Sequence, residues 1–224
     1  RSMTNPTLFI GNKNYSSWSM RPWLALRWAG IAFEEQIIPL GGVGYGKSKI
    51  PEILAVSPSG RVPALQVDGV TIWDSLAICE WAAEQNPALW PQDPLTRAVA
   101  RSAAAEMHSG FAALRGHYSM NLRRKGQPTK EAPAENVLAD IARIDELWSD
   151  LRTRFGGAGG YLFGARCIAD AMYAPVATRF RSYGVALSPQ AQAYADSLLA
   201  DPAFMEWDEA AKAEPWAILS ADAL

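Results

Sequence analysis

The stretch Leu8-Phe9-Ile10, followed by Asn14-Tyr15-Ser16-Ser17-Trp18-Ser19-Met20-Arg21-Pro22-Trp23, decides how the chain begins to fold. The short apolar run predicts a strand, and the hydroxyl-rich segment predicts a tight loop that leads into a helix. The N-terminus of a helix carries unpaired N–H groups and the positive end of the helix dipole, so it attracts anions. We therefore expect the serines at this point to face an anionic group such as a thiolate.

The residues around this stretch predict a β-α-β unit. Apolar side chains at helical spacing predict a helix from Met20 to Ala29, and Gly30 follows at a position where helices commonly end. Phe33 to Leu40 predicts a second strand. Two strands joined by one helix are expected to be parallel, with a right-handed crossover.

An Asp-Gly pair at 68–69 lies between two apolar runs, which is a strong signal for a β-hairpin. A helix capped by Asp74 or Ser75 follows the hairpin. The glycine-rich segment 41–46 matches neither common phosphate-binding pattern and is predicted to be a loop. The predicted order is β-α-β-α-β-β-α, with a short helix near Ile50 to Val56, strands at Ala64 to Val67 and Val70 to Trp73, and a helix from Ser75 to Gln85.

The segment 87–94 contains three prolines and predicts a linker without regular structure. Strand signals nearly vanish after it, so the rest of the chain is expected to be helical. The predicted helices are Thr96 to Leu114, Val137 to Arg154, Cys167 to Tyr183, Pro189 to Ala200 and Pro202 to Ala213. We therefore expect an α/β domain at residues 6–86 and an all-α domain at residues 95–224.

Composition limits the function classes. The chain has 224 residues, 49% of them hydrophobic, and can bury a full core. Its net charge of −2 gives no reason to expect a nucleic-acid or membrane partner. No apolar targeting segment is recognised near residue 1, so we expect a cytoplasmic protein. Cys79 and Cys167 are expected to be reduced core thiols, and the spacing of His108 and His117 does not suit a metal site.

The segment Arg61-Val62-Pro63 comes just before a predicted strand. A proline at this point is a candidate for a cis peptide bond that turns the backbone edge of Val62 outward. An exposed backbone N–H and C=O can pair with a peptide as an added strand would. We therefore expect a peptide-like ligand along Val62.

Asp74 and Ser75 open the next predicted helix, and either residue also serves as an ordinary helix cap. Beyond capping, Ser75 offers a hydroxyl and N–H groups to a carboxylate at the positive end of the helix dipole. Asp74 offers a carboxylate to an ammonium group. Together they suit the zwitterionic head of an amino acid.

Three serines begin the first helix. We expect Ser19 to cap it, which leaves Ser16 and Ser17 to donate hydrogen bonds into a cleft. A free thiol has a pKa of ~8.5, and a charge-assisted hydrogen bond of ~1.5–3 kcal/mol lowers such a pKa by about one to two units. A thiolate, a peptide backbone and an amino-acid head are the three parts of glutathione, which is therefore the predicted ligand.

The chain resembles the cytosolic glutathione transferases over nearly its whole length. Residues 16–21, Ser-Ser-Trp-Ser-Met-Arg, are similar to the zeta-class motif Ser-Ser-Cys-Ser-x-Arg. Ser57 to Leu65 resembles the family's Asn-Pro-x-Gly-x-Val-Pro-x-Leu segment, Asp74 to Ile78 its Glu/Gln/Asp-Ser-x-Ala-Ile element, and Gly164 to Asp170 its Gly-x-x-Ser/Thr-x-Ala-Asp element. The resemblance implies a thioredoxin-like N-terminal domain (βαβαββα), an all-helical C-terminal domain, and a homodimer.

The resemblance also implies a role for individual residues. Ser16 would hydrogen-bond the thiolate of glutathione, the co-substrate, with Ser17 as the other candidate. The glutathione-binding residues would be Arg61, Val62 and Pro63 at the cysteinyl backbone, Asp74 and Ser75 at the γ-glutamyl head, and Lys47 or Lys49 at the glycyl carboxylate. A hydrophobic electrophile would bind between the domains, against Trp18, Met107 and Phe111.

The implied reaction is transfer of the glutathione sulfur to an electrophilic small molecule. Maleylacetoacetate-type isomerisation, peroxide reduction, and a non-enzymatic binding or scaffold role are the alternatives. Trp18 replaces the zeta-class cysteine, which removes a possible redox thiol, and Trp23 replaces a second arginine that helps to bind an acidic substrate. The second departure disfavours the isomerase. Cys167 replaces the Ser/Thr cap of the C-terminal element, so we expect a weaker cap there.

Overall fold

The computed structural model describes residues 4–41 and 50–224. Lys47, Lys49 and most of the predicted glycine-rich loop therefore lie outside the described residues. One four-stranded sheet is built from β1 (Thr7–Ile10), β2 (Glu34–Ile37), β3 (Ala64–Val67) and β4 (Val70–Trp73). Its order is β2-β1-β3-β4, with β1 parallel to β2 and antiparallel to β3, and β3 antiparallel to β4.

Three helices accompany this sheet: α1 (Ser17–Trp28), α2 (Pro51–Leu54) and α3 (Ser75–Gln85). The predicted order β-α-β-α-β-β-α is confirmed. The hairpin prediction is also confirmed, because Asp68 and Gly69 both adopt positive φ angles of 47° and 79°, as a tight two-residue turn requires. The two strands of the hairpin begin and end at the predicted residues.

Helix α1 begins three residues earlier than the sequence predicts. The Ser16 carbonyl already accepts the Met20 N–H, so Pro22 lies in the second helical turn. Nearly all of its side chains are buried, because the helix packs against α3 and against two helices from the C-terminal half. Its N-terminus therefore points into a seam between the two halves of the molecule.

The C-terminal half is helical, as predicted. Its helices are α4 (Pro94–Ser109), α5 (Ala112–His117), α6 (Glu135–Phe155), α7 (Ile168–Tyr183), α8 (Pro189–Leu199), α9 (Pro202–Ala213) and α10 (Leu219–Asp222). A 3-10 turn at Pro87–Leu89 lies where no regular structure was expected. No helix among residues 4–41 and 50–224 is long and apolar enough to cross a membrane.

The prediction of a single helix from Thr96 to Leu114 is wrong, because the helix is interrupted at Gly110 and Phe111. Phe111 has a φ of 59°, in the left-handed region. A side chain on Gly110 would place its Cβ 2.7 Å from the Glu106 carbonyl oxygen, so glycine is required at this close approach. The break separates α4 from α5.

Helix α7 is the centre of the C-terminal half, and almost all of its side chains are buried. Asp170 in its first turn accepts the Cys167 N–H at 2.8 Å, the Leu162 N–H at 3.2 Å and the Tyr194 hydroxyl at 2.7 Å. The carboxylate therefore begins the helix and joins it to α8. Burial raises the pKa of Asp170 to about 6 and outweighs the donated hydrogen bonds, which act in the opposite direction.

Replacing Asp170 with alanine leaves three buried donors without an acceptor, each worth about 1–3 kcal/mol. We expect the free energy of unfolding in urea to fall by about 3–5 kcal/mol at pH 5. Asp196→Ala is the matched control, because Asp196 is exposed on α8 and accepts one hydrogen bond from Gln192. A similar loss in both variants would contradict this role.

The loss of unfolding free energy in Asp170→Ala also depends on pH. Asp170 in the folded protein has a pKa of about 6, whereas a free aspartate carboxyl has a pKa of 3.8. The stabilising contribution of Asp170 is therefore full below about pH 4 and is lost as the pH rises through 6. We expect the penalty of Asp170→Ala to be about 1 kcal/mol smaller at pH 7.5 than at pH 5.

Candidate functional site

A cleft of about 640 Å³ opens in the seam between the two halves. The sequence-predicted residues in its lining are Trp18, Arg61, Val62, Pro63, Asp74 and Ser75. Ser59, Trp73, His108 and Arg115 complete the described lining. The structure therefore brings Arg61, Val62, Pro63, Asp74 and Ser75, which were expected to bind glutathione, together with Trp18, which was expected to contact the electrophile.

One wall of the cleft is the turn that enters β3. The peptide bond between Val62 and Pro63 is cis, as predicted. Both residues line the cleft, so a backbone edge is available to an extended ligand.

The N-terminus of α3 forms a second wall. Asp74 is its N-cap, with a φ of 76°, and its Oδ2 accepts the Ala77 N–H at 3.3 Å. The other carboxylate oxygen lies 3.1 Å from His108 Nε2. The Ser75 hydroxyl is buried and has no hydrogen-bond partner within the described chain. An unpartnered buried hydroxyl at a helix N-terminus is ready to donate to an anionic ligand.

Ser16 occupies the N-cap position of α1, and its hydroxyl lies 2.6 Å from the Ser19 hydroxyl. Ser19 also accepts the Gly11 N–H at 3.1 Å. The prediction that Ser19 caps the helix is therefore wrong, because Ser19 lies inside the first turn and bonds backwards to the end of β1. Ser17 is the first helical residue, and both Ser16 and Ser17 are buried.

Trp18 is surrounded by cationic and aromatic side chains. The Arg21 guanidinium carbon lies 4.1 Å from the centre of the Trp18 ring, and that of Arg115 lies 5.2 Å from it. The His108 ring meets Trp18 edge-on at 5.5 Å. The lining near Trp18 is therefore electropositive as well as aromatic.

Arg21 is fully buried beneath this wall. Its Nε donates to the Met172 carbonyl at 2.9 Å, while both terminal nitrogens have no partner among the described residues. Burial, followed by the charges of Arg179 and Arg115, lowers the Arg21 pKa well below its ordinary value. Burial and Arg115 likewise lower the pKa of Arg179 to about 10.

Within the described chain, none of these three arginines pairs with a carboxylate. Arg115 Nε donates to the Gly110 carbonyl, and Arg179 Nη1 donates to the Tyr118 carbonyl at 2.8 Å. Three guanidinium groups without counter-charge make this side of the cleft favourable for an anion.

Two predicted pocket residues are not in the cleft. Met107 is fully buried and Phe111 is 8% exposed, and both belong to the hydrophobic core. Placing them in the electrophile pocket is therefore wrong, because α4 directs Met107 inward and presents His108 to the cleft. Trp23 also lies outside the cleft, where its indole donates to Glu35 at 2.9 Å. Because position 23 lies outside the cleft, the tryptophan in place of the family's arginine there does not determine the charge of the cleft.

His108 and Arg115 were not assigned to the site from the sequence. Their seven-residue spacing would place them on one face of the helix predicted there, which was the available signal. Among residues 4–41 and 50–224, no group of three or more His, Cys, Asp or Glu side chains suits a metal ion.

A family model described as "Glutathione S-transferase, N-terminal domain" matches residues 15–85. The chain is 32% identical over 208 residues to a maleylacetoacetate isomerase from Pseudomonas aeruginosa, with 89% of this chain and 93% of that protein covered. A Burkholderia glutathione transferase homologue with bound glutathione superposes with a TM-score of 0.68 and 26% identity over 94% of this chain and 99% of that one. A maleylacetoacetate isomerase from Anaeromyxobacter dehalogenans superposes with a TM-score of 0.64 and 25% identity, covering 96% and 94%.

Proposed function

The chain belongs to the glutathione S-transferase family, and we propose that its cleft binds glutathione and transfers the glutathione sulfur to an electrophilic small molecule. The observation that carries the proposal is the meeting of three surfaces in or beside one cleft: the cis turn at Val62, the N-terminus of α3, and the N-terminus of α1. Each surface suits a different part of this tripeptide.

Two of these surfaces hold the peptide. The Val62 backbone would pair with the cysteinyl residue of glutathione, beside Arg61 and Pro63. The unpartnered Ser75 hydroxyl would donate to the γ-glutamyl carboxylate, where the dipole of α3 adds favourable charge. Asp74 would accept the ammonium group, which would approach the oxygen that now faces His108.

Ser16 would stabilise the thiolate. Ser19 already accepts from Gly11, so its own hydroxyl hydrogen is available to donate to Ser16 across 2.6 Å. Ser16 would then direct its hydroxyl hydrogen at the sulfur, and the two aligned hydroxyls would strengthen each other. The N-terminus of α1 adds positive charge, and both effects lower the pKa of the bound thiol. This arrangement favours Ser16 over Ser17.

The chemistry needs no other group from the protein. The thiolate lone pair forms a carbon–sulfur bond, and either a leaving group departs with its electron pair or the new carbanion takes a proton from water. Binding both reactants in one cleft reduces the entropic barrier. A stabilised thiolate at neutral pH keeps the nucleophile in its reactive form.

Ser16→Ala is expected to raise the pKa of the bound thiol by about one to two units, because a charge-assisted hydrogen bond is lost. Thiolate absorbance against pH measures this change, and calorimetric titration with glutathione measures affinity. Below the pKa of the bound thiol in the wild-type protein, where glutathione binds as the neutral thiol, we expect Ser16→Ala to leave the Kd nearly unchanged. Ser75→Ala is the matched comparison, and we expect it to weaken binding about tenfold or more and to leave the thiol pKa unchanged.

Three results would contradict the assignments. A shift of the thiol pKa in Ser17→Ala but not in Ser16→Ala would reverse the roles of the two serines. The absence of binding at millimolar glutathione would refute the glutathione site. Binding without turnover of any electrophile would favour a scaffold role.

A second candidate is a glutathione-dependent isomerase that acts on an unsaturated carboxylate. The uncompensated Arg21, Arg115 and Arg179 favour it, because a carboxylate of the electrophile would supply the missing counter-charge. Arg115 lines the cleft and would make the direct contact. The thiolate would add to the carbon–carbon double bond, rotation would follow about the resulting single bond, and the thiolate would leave, restoring glutathione. The related maleylacetoacetate isomerases agree with this candidate.

Matched aryl halides test the charge preference. We expect kcat/KM for 4-chloro-3-nitrobenzoate to exceed that for the neutral 4-chloro-3-nitrobenzamide. Arg115→Gln should reduce this ratio about tenfold, since one charge-assisted hydrogen bond is worth ~1.5–3 kcal/mol. Arg101→Gln is the control, because Arg101 is an exposed residue of α4 that pairs with Glu80 of α3. An unchanged ratio of the two kcat/KM values in Arg115→Gln would contradict the role of Arg115 in binding a carboxylate.

We further propose a homodimer located in the cytoplasm. The edge strand β4 exposes Val70 by 62% and Trp73 by 51%, and an exposed apolar edge favours association with a second copy. Cys79 and Cys167 are free thiols, as a reducing compartment allows. Light scattering should give twice the chain mass, and a monomer at micromolar concentration would contradict the dimer.

A further inference from the structure

The loop that carries Ser16 is held by residues from the far end of the chain. This loop, Gly11–Ser16, connects β1 to α1. The Glu214 carboxylate accepts the N–H groups of Lys13 and Asn14 at 2.9 and 3.0 Å. One side chain therefore fixes two consecutive backbone amides just before the serine. We call the segment Glu214–Asp222 the strap.

Tyr15, the neighbour of Ser16, makes the next contacts with the strap. Its hydroxyl donates to Asp222 Oδ1 at 2.8 Å and accepts the Ile218 N–H at 3.1 Å. Burial, with a smaller contribution from Asp222, raises the pKa of Tyr15, so the phenol stays protonated at neutral pH. The hydroxyl therefore both donates to and accepts from the strap.

A third set of contacts closes the network. Asn14 Nδ2 donates to Asn121 Oδ1, and Asn121 Nδ2 donates to Asp222 Oδ1, both at 2.9 Å. The Arg123 amide donates to Asn14 Oδ1 at 2.9 Å. The Arg123 guanidinium donates to the carbonyls of Trp216 at 2.8 Å and Glu214 at 2.6 Å. One hydrogen-bond network therefore connects the loop, the residues after α5 and the strap.

We propose that the strap positions Ser16, so that Glu214, Tyr15 and Asp222 act as positioning residues for the thiolate. The inference rests on the proposed function for its chemical consequence. Fixing the backbone of one residue costs about 1–2 kcal/mol of conformational entropy, and the strap fixes three residues in a row before ligand binds. A hydroxyl held in place stabilises a developing or bound anion far better than one that must first be ordered.

A purely structural role predicts different behaviour. If the strap only adds stability, its loss lowers the free energy of unfolding and leaves the bound thiol unchanged. If it positions Ser16, its loss raises the pKa of the bound thiol, while the peptide-binding surfaces at Val62 and Ser75 keep their affinity. The thiol pKa therefore separates the two roles.

The test compares Glu214→Ala and Asp222→Ala with Glu209→Ala, an exposed carboxylate on α9 that is the matched control. Hydrogen exchange reports the loop directly. We expect the amides from Lys13 to Ser16 to exchange about fivefold faster in both strap variants and at the wild-type rate in the control. Unchanged exchange in both strap variants would overturn the proposal.

The second arm uses glutathione. We expect each strap variant to raise the bound thiol pKa by about half a unit and to lower kcat/KM about threefold at pH 6.5, with partial recovery at pH 8. The glutathione Kd should stay within about twofold of wild type. A wild-type thiol pKa with reduced stability would show a structural role and overturn the proposal. If wild-type protein binds no glutathione, the proposed function fails, and the exchange arm alone decides whether the strap holds the loop.

Discussion

The hydrogen bond from the buried Arg21 guanidinium to the Met172 carbonyl is the constraint around which the molecule is arranged. It joins α1, which begins beside the cleft, to α7, which is the centre of the other half. A fully buried cation is expensive to desolvate, so it persists only where packing from all sides holds it. The position of the α1 N-terminus is therefore fixed by the same packing that joins the two halves.

This arrangement concentrates positive charge on one side of the cleft. Arg21 and Arg179 lie in a region of low dielectric, where Coulomb interactions extend further than in water. Arg115 brings that charge to the cleft lining. The same field would favour both the glutathione thiolate and the carboxylate of the second candidate's substrate.

Local signals predicted much of this structure. The Asp68-Gly69 hairpin, the cis bond before Pro63 and the Asp74 cap each depend on a few adjacent residues, and a sequence pattern captures such interactions. The break at Gly110 depends on a close approach to Glu106 that helical periodicity does not reveal.

The remaining parts of the site depend on tertiary packing. Ser19 does not cap α1 because its hydroxyl finds the Gly11 amide, which the fold brings close. His108 and not Met107 faces the cleft because α4 turns its apolar side toward the core. The strap contacts join residues at opposite ends of the chain, and no local pattern predicts such a pairing.

The strap has a consequence for the order in which the molecule is made. Tyr15 and its partner Asp222 are separated by 207 positions, so the loop is synthesised early and its support late. At about 5–20 residues per second, the ribosome needs roughly 10–40 seconds to cover that distance. During this time the emerging N-terminal half can form its sheet but lacks the carboxylates that hold the loop. The protein should therefore acquire its working site only after residues Glu214 to Asp222 have been synthesised.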